Sequence, residues 1–73
     1  MLLNSNQFGQ FLTIVSNPQY GHTDFHVTAD TRGAVDRLRV DMVNCPAIVI
    51  EELVKAGFCL DFGNGSILVY KFE

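Results

Sequence analysis

Two histidines and an aspartate stand at alternate positions in His22-Thr23-Asp24-Phe25-His26. On an extended chain, residues two apart project from the same side, about 7 Å from one another. Two imidazoles and a carboxylate are suitable donors for zinc or another divalent ion, with a position left open for water. His22, Asp24 and His26 are therefore the candidate metal ligands. A fourth ligand has to come from elsewhere in the chain. A plain solvated strand explains the same pattern, because Phe25 and Val27 need a core and their neighbours then face water.

Cys45 lies beside Pro46, at what reads as a helix start. A helix N-terminus can lower a thiol's pKa, and a nearby histidine would make it a nucleophile. No glycine-rich turn or Cys/His signature surrounds it, so a small packed cysteine is the simpler account. Cys59 alternates with Phe58 and Leu60 and reads as a packing residue on the far side of a sheet. Two cysteines make no disulfide framework.

Arg32, Arg37 and Arg39, with Tyr20 in a preceding loop, form a basic and aromatic set that could grip a nucleic-acid backbone or stack on bases. Asp30, Asp36 and Asp41 are interleaved with the arginines, the pattern of a strand face with cross-strand ion pairs. A net charge of −3 disfavours a dedicated nucleic-acid binder. Gly63-Asn64-Gly65 lacks the lysine and following helix of a phosphate loop, and Glu51-Glu52 diverge by about 100° on a helix. No catalytic or cofactor motif remains.

The elements that must carry these groups follow from periodicity. Residues 4–10 read as a polar lead-in, and Phe11 to Val15, apolar at every position but Thr13, as a strand covered on both sides. Asn17-Pro18 ends it. Asp24 to Ala29 alternates as a half-buried strand, and Asp30-Thr31-Arg32-Gly33 has the composition of a type I turn. Ala34 to Val43 is ambiguous, but Arg37-Leu38-Arg39-Val40-Asp41-Met42 alternates without a fault and is read as a strand. Asn44 caps a helix with Val49, Leu53 and Ala56 on its apolar row, and Gly57 ends it. Phe58 to Phe62 and Ser66 to Phe72 then form a hairpin.

The expected architecture is one α+β domain, an antiparallel five-stranded sheet with one helix packed on it, in the order βββαββ. A three-residue loop is expected at Gly63-Asn64-Gly65, pairing Phe62 with Ser66. That register sends Lys71 away from Phe58, Leu60 and Phe62.

At 73 residues a single core is marginal, and small domains of this kind commonly lean on a disulfide, a metal or a partner. Hydrophobic residues make up 48% of the chain, which favours a partner. The last strand is apolar on both sides, so Ile67, Val69, Tyr70 and Phe72 are the candidate partner or dimer interface. The N-terminus has no basic, signal-like start, and no apolar run approaches the ~20 residues of a membrane helix, so a cytoplasmic protein with no membrane contact is expected.

The expected function is non-enzymatic: a small, homodimeric interaction protein that binds a larger protein and blocks or adapts it, in the manner of a phage or mobile-element inhibitor of a host enzyme or defence system. The alternative is a nucleic-acid- or metal-binding module on the face of the second and third strands.

Overall fold

Asn4 and Gln7 cap one another at the start of the chain's first helix. Gln7 N–H donates to Asn4 Oδ1 at 2.9 Å, and Asn4 N–H donates to Gln7 Oε1 at 3.1 Å. This reciprocal pair satisfies two of the donors a helix leaves orphaned at its N-terminus. Helix α1 runs Ser5–Val15 and buries Phe11 and Val15. The expected strand at Phe11 to Val15 is thus a helical stretch, and the polar lead-in is the helix's own first turns. Phe8, Phe11 and Val15 fall on one face at the i, i+3, i+7 spacing that burial requires.

The computed structural model describes residues 1–30 and 37–72. A 3-10 turn at Pro18–Tyr20 leads into strand β1, Asp24–Asp30, followed by β2, Arg37–Asn44. Helix α2 spans Ala47–Lys55, and β3, Cys59–Phe62, and β4, Ile67–Tyr70, close the chain. The ambiguous segment is a strand from Arg37 onward, and the turn expected at Asp30-Thr31-Arg32-Gly33 lies largely outside the described residues. Pro46, without a side-chain cap, precedes α2 where Asn44 was expected; Asn44 instead ends β2. Gly57 takes φ 92 at the helix's end, and Phe58 N–H reaches back to the Leu53 carbonyl at 3.0 Å, as a left-handed C-terminal stop requires.

The sheet is antiparallel with four described strands, in the order β1-β2-β4-β3, and two helices accompany it. The fifth strand and the single helix of the expectation both fall with the reassignment of α1. β2 and β3 both run antiparallel to β4, so they are parallel to each other with β4 between them. β2, α2, β3 and β4 thus form a split βαβ arrangement.

Alternation sorts each strand into two faces. Val27, Val40, Val69 and Leu60 are cross-strand neighbours on one, with Phe25, Met42, Ile67 and Phe62 in the next row. Both helices pack against this face. Leu3, Phe11, Val40, Met42, Val49, Leu53 and Val69 are fully buried, and Phe11 meets Phe25 edge to face at 5.4 Å. Leu3 enters this core from an N-terminal arm that exchanges two backbone bonds with Leu38, at 2.7 and 3.0 Å, while Lys71 N–H donates to the Met1 carbonyl at 3.2 Å. The arm thus fills the seam beyond the last paired residues of β2 and β4.

Register in the hairpin differs from the expectation. Phe62 pairs with Ile67 and Leu60 with Val69, the register of a two-residue Asn64-Gly65 turn, with Gly65 at φ 78. This sends Lys71 to the covered side, the outcome the charge was expected to forbid. The ammonium is not stranded there: it lies 4.9 Å from the Phe58 ring centroid and donates to Gln10 Oε1 on α1 at 2.8 Å. A lysine can bury its stem while its head keeps polar company, so the register survives the charge.

Candidate functional site

With both helices on one side, no described element covers the opposite face of the sheet. One cross-strand row on it reads His26, Asp41, Leu68, Asp61. A second places Thr28 opposite Arg39 and Tyr70 opposite Cys59. The face divides along these rows. The β1–β2 half is polar, and the β3–β4 half is apolar around Leu68 and Tyr70.

On the polar half, Arg39 is committed to Asp41, with Nε to Oδ2 at 3.1 Å and Nη2 to Oδ1 at 3.3 Å. Both residues lie on β2, so this is a pair along one strand and not the cross-strand pair expected, and the guanidinium is already occupied. Arg37 donates through Nη1 to the Leu2 carbonyl at 3.4 Å. Arg32 lies outside the described residues. Tyr20 packs against the hydrophobic core, on the other side of the sheet from Arg39. Among the described residues the tyrosine is therefore not brought to Arg39.

His22 and Asp24 do meet, Nε2 to Oδ1 at 2.7 Å, both well exposed. His26 lies opposite Asp41 on the neighbouring strand instead. Among the described residues no group of three His, Cys, Asp or Glu side chains is placed to hold a metal ion. Cys45 is half-buried, and burial pushes its thiol above the usual range, with the Thr23 hydroxyl beside it offsetting part of the rise. Thr23 Oγ1 is buried without a formed hydrogen bond, so that contact is a weak one. A thiol held protonated is the opposite of an activated nucleophile.

The apolar half is built by three segments. Met1 and Leu2 of the arm, Leu68 and Tyr70 of β4 and Asp61 of β3 line a shallow depression of about 210 Å³. Tyr70 stacks edge to face with Phe72 at 5.8 Å, and Phe72 is 68% exposed. Tyr70 O–H donates to Asp61 Oδ1 at 3.4 Å. Its own ionisation is pushed up, by partial desolvation first and then by the negative charges of Asp61 and Cys59. Of the four residues expected at an interface, Val69 is fully buried and Ile67 packs against the core, which leaves Tyr70 and Phe72 on the open side. Leu68, Leu2 and Met1 were missed. The corrected register supplies the first, and no local pattern in the sequence announces the arm.

No family model, curated protein or solved structure matches the chain. Among the described residues no helix is long and apolar enough to cross a membrane.

Proposed function

We propose that the chain is a small non-enzymatic interaction protein that binds a larger protein, and blocks or adapts it, through the apolar half of its open sheet face. The observation that carries this reading is Leu68 and Tyr70 at the centre of a sheet, flanked by Met1, Leu2 and Phe72, with no element of the described chain laid over them. Large exposed rings and aliphatic groups gathered on one face are the usual mark of a contact site. Size supports it too. The molecule measures 36 by 25 Å across and 17 Å deep, and a standard interface takes roughly 800 Å² from each partner.

The test is affinity capture from extracts of the source cells with the tagged native chain, Leu68→Glu and Val54→Glu. Val54 is 57% exposed on α2 and serves as the control for a new charge on the opposite side. The expected result is a retained protein lost with Leu68→Glu and kept with Val54→Glu, all three chains being folded. Equal retention by both variants would place the contact elsewhere.

A further inference from the structure

Leu68 is flanked on its two neighbouring strands by carboxylates, Asp41 on one side and Asp61 on the other. The two aspartates are not equivalent. Asp41 holds Arg39 in an ion pair at 3.1 Å. Asp61 is exposed at the rim of the depression, and among the described residues no lysine, arginine, histidine or amino terminus is ion-paired with it. Among the described residues the one polar contact of its carboxylate is the weak bond from the Tyr70 hydroxyl, a neutral donor. An apolar hollow with a single uncompensated carboxylate at its edge is complementary to an apolar group carrying a cation beside it.

We propose that the depression takes an apolar side chain of the partner flanked by a lysine or arginine that pairs with Asp61, an inference that rests on the protein-binding reading above. A second copy of this chain is the wrong occupant. A two-fold axis through the hollow would place both Asp61 carboxylates in one interface, where no lysine, arginine or histidine lines the hollow to pair with either. A partner segment of the type apolar-basic-apolar answers both features at once: it covers Leu68, Tyr70 and Leu2, and it neutralises Asp61.

A random dodecapeptide display library, panned against the immobilised native chain, tests this directly. Enriched sequences should carry Lys or Arg beside a large apolar residue, and their binding should be lost with Leu68→Glu or Phe72→Glu. An enriched peptide should bind Asp61→Asn about threefold more weakly, the scale of one exposed ion pair, and native affinity should fall by a similar factor at high salt. Enriched apolar peptides without excess basic residues, or affinity unchanged in Asp61→Asn, would overturn the cationic requirement while leaving the face as a protein contact. Peptides indifferent to both Leu68→Glu and Phe72→Glu, or no enrichment, would overturn the face as well. A neutral-pH dimer abolished by Leu68→Glu would instead assign the face to a second copy of the chain and overturn the cationic partner.

Discussion

Val69 and Leu68 are adjacent in β4, yet one is fully enclosed by two helices and the other looks out between two aspartates. The same comparison holds for the whole sheet. Its covered side is packed by Phe11, Val49 and Leu53 from the helices and by Leu3 from the arm, with Val27 and Phe62 left exposed on the outer strands. Its open side carries an ion pair at one end and a bare apolar hollow at the other. The difference separates two jobs that the apolar content of a short chain conceals. One face holds the fold together, and the other is free to meet something.

Breaking the covered side should have the largest effect. Phe11 is fully buried and stacks on Phe8 and Phe25, so Phe11→Ala should cost about 3–5 kcal/mol. That is a large share of the roughly 5–15 kcal/mol that holds a typical domain folded. Urea unfolding should show a partly or wholly unfolded chain at 25 °C, and a loss under about 1 kcal/mol would mean that α1 is not part of the core.

Lys71 offers a finer probe, because it links the last residues of the chain to both Phe58 and α1. Lys71→Met keeps the stem and removes the charge, so about 1 kcal/mol should be lost, by the same urea measurement. A variant as stable as the native chain would show that the charge does not hold this register.

The smallest effect expected is a pH dependence from Cys45. Its thiol is raised in the folded state by burial, so its contribution is fully present below the unfolded value. It is lost as pH climbs past about 8.5 and through the folded value. Melting temperature followed from pH 7 to pH 10 should fall less in Cys45→Ala than in the native chain. An identical fall in both would remove Cys45 from the account.

The legible parts of the fold are those with a strong local pattern. β1 alternates cleanly, β2 alternates without a fault inside an otherwise ambiguous segment, and Gly57 marks the end of α2. α1 is disguised in the sequence, because Thr13, Ile14 and Val15 are β-branched and Gly9 interrupts the segment, which together imitate a strand. The signal that outweighs them was present: Asn4 followed three residues later by Gln7, ahead of Phe8, Phe11 and Val15. In the sequence the charge of Lys71 argues for the other hairpin register, whereas in the fold Phe58 and Gln10 supply it with partners from distant parts of the chain. The same slip decides the site. Turning β4 over buries Ile67 and Val69 and brings Leu68 out beside Tyr70. Met1 and Leu2 join that face only through the arm's bonds to Leu38 and Lys71, contacts that no local pattern encodes.

Leu68→Glu tests the central distinction most directly, if stability and binding are measured on the same preparation. Leu68 stands on the side that does not hold the fold together, so urea unfolding should move by no more than about 0.5 kcal/mol, as for a surface change. Retention of the captured protein, or of the enriched peptides, should be abolished. A variant that unfolds would place Leu68 in the core's service. One that stays folded and binds undiminished would contradict the open face as the working surface.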